Sequence, residues 1–230
     1  MKRLLIVFSI LALLSGGAGA EEESDTAAKQ AAADASTAEA LAILKRSSDF
    51  LSGQKQLSFE ARESYDALQK NGMMIEFGNV RDVRVRRPDR LRMQVTERGG
   101  ERQLTVFDGK TLSTWFEDEE AYIQLERPGS LDAIIDFMDE ELGAPMPLSD
   151  FIHTNFYADA VEEITLGAVV GESTIAGTKC DHIVFLSDHA GFQLWIEQGS
   201  RPVPIRVSIE FLDEPGLLNS RRISRNGRSG

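Results

Sequence analysis

From residue 57 to about residue 125, apolar residues alternate with polar ones in short segments. This period of two is typical of strands that bury one face and leave the other in water. Turn signals separate the segments at Asn71-Gly72, Gly99-Gly100 and Asp108-Gly109. Short strands joined by tight turns predict an antiparallel meander, so the chain needs other elements to cover the apolar face of that sheet.

Two segments in which apolar residues recur with the period of a helix are the candidates to cover that face. Ser36-Thr37-Ala38-Glu39 fits a capping box ahead of an apolar stripe that Gly53 ends. Ser130 precedes apolar residues spaced as one helix face, inside an insertion that runs to residue 161. Strand-like segments resume at about residue 164. We therefore predict a mainly β fold with helices (α+β): a curved antiparallel half-barrel sheet, with an N-terminal helix and a mid-chain helical insertion covering its concave face.

The first twenty residues, 1–20, have the composition of a cleaved signal peptide. Lys2 and Arg3 precede a short apolar run, and Ala18-Gly19-Ala20 is the small-x-small pattern of a cleavage site. The run is too short for a permanent membrane span, and Glu21 is not the cysteine that an acylated anchor needs. We expect an exported protein with no integral membrane segment after cleavage.

The remaining chain divides by composition into three parts. Residues 21–35 contain no large apolar residue and are predicted to be a flexible leader. Residues 36–216 carry the strand and helix patterns and form the predicted domain. Residues 217–230 contain four arginines and no acid, and we predict a disordered Arg-rich tail.

Charge and cysteine content exclude some classes of partner. The formal net charge of −12 repels nucleic acid and anionic membrane surfaces, so we expect no nucleic acid partner. Cys180 is the one cysteine of the sequence, so no disulfide closes within this chain and the domain depends on its core.

No pattern of catalytic or metal-binding residues is present in the sequence. Cys180 and His182 place two possible zinc ligands on one strand face, but neither His153 nor His189 completes a recognisable set. Nucleophile elbows, phosphate loops and dinucleotide fingerprints are missing. We predict no catalytic residue, no metal and no cofactor, and hence a protein that is not an enzyme.

Large apolar residues concentrate in the insertion and in the strands that it would cover. Core packing is the simpler interpretation of most of them. In the functional alternative the insertion helix is a movable lid over an apolar groove, because methionine adapts to varied apolar ligands. The candidate groove residues are Trp115, Tyr122, Ile134, Ile135, Met138, Phe151 and Trp195.

Six short motifs in order resemble a known family. They are Asp108-Gly109-Lys110-Thr111, Pro128-Gly129-Ser130-Leu131-Asp132, Ala144-Pro145-Met146-Pro147-Leu148-Ser149-Asp150, Cys180-Asp181-His182, Gln193-Leu194-Trp195-Ile196-Glu197 and Arg201-Pro202-Val203-Pro204. Together they resemble a family of predicted periplasmic proteins of unknown function, related to the LolA/LppX lipoprotein-carrier superfamily. The resemblance covers residues 40–216.

This resemblance implies an unclosed half-barrel with helices in its mouth, a periplasmic location and binding of apolar groups. The expected function is a periplasmic binding or carrier protein for a lipid or lipoprotein acyl chain. An envelope sensor or scaffold that holds a partner protein is the alternative. Relatives continue with strand-like sequence where this chain has residues 217–230. If a closing strand is absent, the strand near Ile205 to Leu212 is exposed as an edge and invites self-association.

Overall fold

The computed structural model describes residues 18–143, 149–212 and 220–225, so most of the predicted signal peptide lies outside the described residues. Within these ranges the chain forms helices α1 to α3 and strands β1 to β11. The helices are α1 (Ala18–Ser52), α2 (Leu131–Glu140) and α3 (Phe156–Glu163). The strands are β1 (Gln56–Leu68), β2 (Met74–Arg86), β3 (Arg90–Glu97), β4 (Arg102–Phe107), β5 (Thr111–Phe116), β6 (Ala121–Glu126), β7 (Leu166–Ile175), β8 (Thr178–Leu186), β9 (Ala190–Glu197), β10 (Pro204–Phe211) and β11 (Ser220–Arg225).

All of these strands belong to one antiparallel sheet. Their order is β6-β5-β4-β3-β2-β1-β11-β10-β9-β8-β7, so the sheet is open, with β6 and β7 as its outer strands in the described part of the chain. Strands β1 to β6 are neighbours in sequence order, as the turn signals predict. The predicted fold class, an unclosed antiparallel sheet with an N-terminal and a mid-chain helix, is confirmed.

Strand β11 corrects the prediction of a disordered tail for residues 220–225, whereas the rest of the predicted tail, 217–219 and 226–230, lies outside the described residues. It pairs with residues 61–64 of β1 on one side and with residues 206–210 of β10 on the other. The β10 strand is therefore paired on both sides, and the exposed edge expected near Ile205 does not form. The six residues of β11 include a single apolar one, so no alternating pattern predicts a strand here. The strand conformation is instead explained by pairing with β1 and β10 on its two sides.

Helix α1 begins at Ala18, so the prediction of a flexible leader over residues 21–35 and of a helix start at Ser36 is wrong. Alanine, glutamate, glutamine and lysine dominate the leader and have high helix propensity. A shortage of apolar residues prevents burial, but it does not prevent a helix. The end of α1 at Ser52 agrees with the predicted stop at Gly53.

Helices α1 and α2 cover different parts of the same face of the sheet. Helix α1 packs on the C-terminal strands in a cluster of Ala40, Ile43, Leu44, Ile183, Phe185, Leu194 and Ile196. Helix α2 packs on the N-terminal strands in a cluster of Val83, Val85, Leu91, Met93, Val95, Phe107, Leu112, Leu131, Ile134, Ile135, Met138 and Ile152. The register through β1 and β11 places both clusters on one side, which we call the inner face.

Helix α2 forms where the sequence predicts it. The Ser130 hydroxyl accepts a hydrogen bond from the Ala133 amide at 3.2 Å and caps the first turn. The predicted apolar stripe is buried against the sheet. The mid-chain insertion is therefore a packed part of the core.

Candidate functional site

A cavity of about 930 Å³ lies on the inner face, between the regions covered by α1 and α2. Its floor is formed by strands β1 to β4. Its walls come from the last turn of α1, from residues 151 and 152 after α2, and from residues 201–204 ahead of β10. We call this space the junction cavity, because it lies where the two halves of the sheet meet.

The floor of the junction cavity is a continuous apolar row across four strands. Leu57 pairs with Val85, Val85 with Leu91, and Leu91 with Phe107. Since neighbouring strands carry paired residues on the same face, these four side chains lie side by side. Phe59 extends the row on β1. A ligand on this floor meets hydrocarbon and aromatic surface.

Arginines border the floor in sequence but project from the other face. Arg84 pairs with Arg92 and Arg86 with Arg90, each one residue out of phase with the apolar row. Strand alternation therefore directs these four side chains to the outer face of the sheet. The same four arginines also border the junction cavity, so positive charge lies beside its apolar floor.

One wall of the junction cavity is the end of α1. Gly53 ends the helix, and Gln54 donates a side-chain hydrogen bond to the Phe50 carbonyl at 2.9 Å. This closed last turn holds Phe50 and Leu51 above the floor. Farther back, the Thr37 hydroxyl accepts a hydrogen bond from the Gly167 amide at 2.9 Å, which fixes α1 on β7.

The second wall is held in place by a half-buried arginine. The Arg87 guanidinium donates to the Ile152 carbonyl at 2.5 Å and to the Thr154 hydroxyl at 3.4 Å. Asp132 of α2 lies 4.0 Å from the same guanidinium and accepts from the Thr154 amide at 3.3 Å. Burial lowers the pKa of Arg87, and the negative charge of Asp132 opposes that shift. Residues 151–154 are thereby tied to both the sheet and α2.

A buried ion pair occupies the inner face farther along β1 and β2. The Arg81 guanidinium donates to the Glu63 carboxylate at 3.2 Å, and the Glu63 side chain is 1% exposed. A smaller cavity of about 520 Å³ lies beside Glu63 and Asn79. Because a charge pair replaces the apolar row here, the apolar floor ends at this point.

Of the seven predicted groove residues, Phe151 lines the junction cavity. Its ring packs on Phe156, with ring centroids 4.7 Å apart. Ile134, Ile135 and Met138 are buried against strands β2 to β5 as part of the core, and they do not line the cavity. The sequence pattern of an amphipathic helix is the same whether its stripe meets a sheet or a ligand.

The three remaining predicted residues lie in other places. Trp115 and Tyr122 face each other across β5 and β6, and both are exposed near the edge of the sheet. Trp195 stacks on His182 with a centroid distance of 4.2 Å and has the Arg206 guanidinium 4.9 Å from its ring centre. The structure therefore does not bring the seven residues together into one site.

Sequence reasoning missed most of the cavity, including Leu57, Phe59, Val85, Leu91 and Phe107. The alternating pattern marks each of them as apolar and inward-facing. The sequence does not show which strand positions remain uncovered after the helices have packed, because that depends on register across distant strands.

The one cysteine of the chain, Cys180, is part of the core. The Cys180 thiol is buried, lies 3.5 Å from the Thr178 carbonyl, and has a pKa raised chiefly by burial.

Across the described ranges, no three His, Cys, Asp or Glu side chains form a group that could hold a metal ion. Those ranges also contain no helix with the length and apolar character needed to span a bilayer.

Residues 40–221 match the sequence profile of a family described as predicted periplasmic protein, DUF2092. The chain belongs to this family. The resemblance to a family of predicted periplasmic proteins, drawn from the six motifs, is thereby confirmed. No curated protein sequence is significantly similar to the chain.

Solved structures show a fold similar to that of this chain. The lipoprotein LppX from Mycobacterium tuberculosis is 17% identical with a TM-score of 0.50, and the match covers 82% of this chain and 93% of that one. LprF from Mycobacterium bovis is 14% identical with a TM-score of 0.51, covering 82% and 92%. A LolA superfamily protein from Nitrosomonas europaea is 12% identical with a TM-score of 0.34, covering 82% and 91%.

Proposed function

We propose that this family member is a periplasmic binding or carrier protein for an apolar group, such as a lipid or lipoprotein acyl chain. It acts without covalent chemistry, and residues 1–20 direct its export and are removed. The apolar floor of the junction cavity carries this proposal, because it is continuous across four strands and because Leu57 and Phe59, at its β1 end, are only partly buried.

The size and lining of the cavity suit a hydrocarbon chain. About 930 Å³ lies near the upper end of the roughly 300–1,000 Å³ that small-molecule sites span. Each methylene moved from water into such a site contributes about 0.8 kcal/mol, so several of them bind without any directional contact. A floor made of side chains such as Leu57 and Phe107 supplies that environment.

The experiment is binding of a fluorescent fatty acid, cis-parinaric acid, to protein purified from the periplasm and stripped of lipid. Leu57→Gln places an amide on the floor, and Leu186→Gln is the matched control, because Leu186 is exposed on the outer face of β8 and does not line the cavity. Burying an unpartnered amide costs about 1–3 kcal/mol, so we expect Leu57→Gln to weaken binding about tenfold or more.

Native mass spectrometry of the unstripped protein completes the test. A co-purifying lipid in the parent protein and in Leu186→Gln, but depleted in Leu57→Gln, is the expected result. An empty parent protein that also leaves the fatty-acid fluorescence unchanged would overturn the proposal. So would equal binding by Leu57→Gln and its control.

A sensor or scaffold that binds a partner protein is the second candidate. The outer strand β6 favours it, because Tyr122 and Ile123 are exposed there and the free edge can accept another strand. Crosslinking in periplasmic extract distinguishes the two functions. A partner that is lost in Ile123→Lys and retained in Leu57→Gln would support the scaffold.

A further inference from the structure

The hairpin of β1 and β2 extends beyond the strands on both of its sides. The pairing of β11 with β1 ends at Ser64, and that of β3 with β2 begins at Asn79. Past these rows, β1 and β2 pair only with each other in the described register, from Tyr65 opposite Phe77 to Leu68 opposite Met74. We call residues 65–77 the arm. Its four rows project roughly 14 Å at about 3.4 Å per residue.

Large apolar side chains are exposed on both faces of the arm. Leu68, Met73, Met74, Ile75 and Phe77 each expose between 40% and 55% of their surface. Ile75 and Phe77 lie on the same face as the row through Ala61, whereas Leu68 and Met74 lie on the opposite face. A two-stranded ribbon has no core of its own, and a contiguous exposed apolar patch marks an interaction surface.

The charge of the arm differs from that of the chain as a whole. Lys70, beside the turn, is the one charged residue between positions 67 and 75, in a sequence of net charge −12. The acidic residues Asp66 and Glu76 form a row nearer the sheet, and the Glu76 carboxylate pairs with Arg98 at 2.6 Å. The end of the arm is therefore apolar with one positive charge, which complements a surface of phosphate groups above hydrocarbon.

From this geometry we propose that the arm docks the protein on a phospholipid bilayer by inserting its end at the boundary between head groups and acyl chains. A groove on a protein partner would cover one face of the ribbon, whereas lipid surrounds both. Insertion is shallow, because the free strand edges carry backbone groups that need water or head groups as partners. Lys70 then lies at the level of the phosphates.

The acidic body gives this docking an unusual response to salt. On vesicles that contain anionic lipid, the body is repelled while the arm is attracted by its apolar contacts. Salt screens the repulsion and leaves the apolar contacts in place. We therefore expect binding to anionic vesicles to strengthen as salt is raised, the opposite of binding through a basic patch.

The test is flotation of the lipid-stripped periplasmic protein with vesicles of phosphatidylcholine, and of phosphatidylcholine mixed equally with phosphatidylglycerol. Met74→Glu and Ile75→Glu alter the two faces of the arm. Val170→Glu on β7 is the matched control, because Val170 is also an exposed strand residue. Each arm variant should bind at least tenfold more weakly than the control, the loss expected when a large apolar side chain no longer enters lipid.

Two further variants keep the test decisive. Lys70→Glu changes an exposed turn residue that the fold does not need, and it should weaken binding to the mixed vesicles more than to pure phosphatidylcholine. Leu57→Gln should leave flotation unchanged, so failure of the carrier proposal and failure of this one are separately visible.

Equal flotation of the arm variants and Val170→Glu would overturn membrane docking. Absence of flotation by the parent protein would overturn it as well. If an envelope protein then crosslinks to the parent chain and is lost in Met74→Glu, the arm is a protein-binding element instead.

Discussion

The two halves of the sheet are covered by helices of very different kinds. Strands β2 to β5 lie under α2, whose ten residues bury four large apolar side chains. Strands β7 to β10 lie under α1, which is much longer and buries Ile43, Leu44 and Leu51 together with small residues such as Ala40, Ser47 and Ser48. Helix α2 covers its part of the inner face fully. Helix α1 packs on the sheet but leaves the junction cavity open beside its last turn.

This difference explains where the junction cavity forms. Helix α2 ends its cover at the row through Leu57, and α1 reaches the same row only with Phe50 and Leu51. A cavity therefore arises at the border of two separately packed units. Helix α1 or α2 determines the packing within each unit. The position of the border depends on the strands that join the two units.

The largest effect on unfolding is expected from disrupting β11, the strand that connects the two halves of the sheet. Ser224 lies in β11, opposite Arg62 of β1 and Arg206 of β10. Ser224→Pro removes an amide donor from a strand paired on both sides, and proline is excluded from such positions. We expect the two halves to unfold at separate denaturant concentrations, where the parent protein shows one transition.

The two tryptophans make this measurable, because Trp115 lies in the half under α2 and Trp195 in the half under α1. Urea unfolding of Trp115→Phe and Trp195→Phe backgrounds follows each half by fluorescence. Ser224→Ala keeps the amide and should retain coincident transitions. Coincident transitions in Ser224→Pro would show that β11 does not couple the halves.

A smaller effect is expected from truncating one side chain under each helix. Ile134 under α2 and Leu44 of α1 are both 1% exposed, and Ile134→Ala or Leu44→Ala should each cost about 2–5 kcal/mol in the free energy of unfolding. In the continuous sheet each change should shift the signals of Trp115 and Trp195 together. A shift confined to one tryptophan would mean that the halves are independent even with β11 intact.

The smallest effect concerns one turn in each half. The Asp108 carboxylate accepts hydrogen bonds from the amides of Lys110 at 2.9 Å and Thr111 at 2.8 Å, and these bonds lower its pKa below the usual 3.8. In the other half, the neutral Ser187 hydroxyl accepts from the Ala190 amide at 3.0 Å. The hydrogen bonds of the first turn therefore depend on the ionisation of their acceptor, whereas those of the Ser187 hydroxyl do not.

For a carboxyl whose folded pKa is lowered, the stabilisation is present above the unfolded value and disappears as pH falls through the folded one. We expect the melting temperature of Asp108→Asn to lie below that of the parent protein at neutral pH, with the gap closing below pH 3.8. Ser187→Ala should show a gap that is independent of pH. A constant gap for Asp108→Asn would contradict the assigned cause.

The sequence predicts the elements whose contacts are local in the chain and does not predict those whose partners are distant. The meander of β1 to β6 and the cap at Ser130 depend on residues close together in the chain, and both are as predicted. Strand β11 was missed, because its partners lie far away in the sequence and its own pattern is polar. The start of α1 is not predicted by the apolar pattern, because residues 21–35 lack large apolar residues but are rich in alanine and glutamate, which have high helix propensity.

The candidate site shows the same limit. Aromatic character alone selects Trp115 and Tyr122, but the register places them at an exposed edge. The partly buried residues of the floor, Leu57 and Phe59, are indistinguishable in sequence from Val83 and Met93, which are fully buried under α2. Which apolar positions stay uncovered is decided by the space between helices, and a one-dimensional pattern does not contain that distance.

The position of β11 also has a consequence for the time course of folding. The hairpins of each half bring together residues that are near neighbours in the chain, whereas Ala61 and Arg225 must meet across almost the whole domain. Contacts at such separation form slowly, since a long loop must close before they contribute. Both halves of the sheet can therefore form before β11 pairs with β1 and β10. The lining of the cavity is complete only when this last pairing forms, so the folding chain passes through a stage in which its apolar floor is accessible from the side.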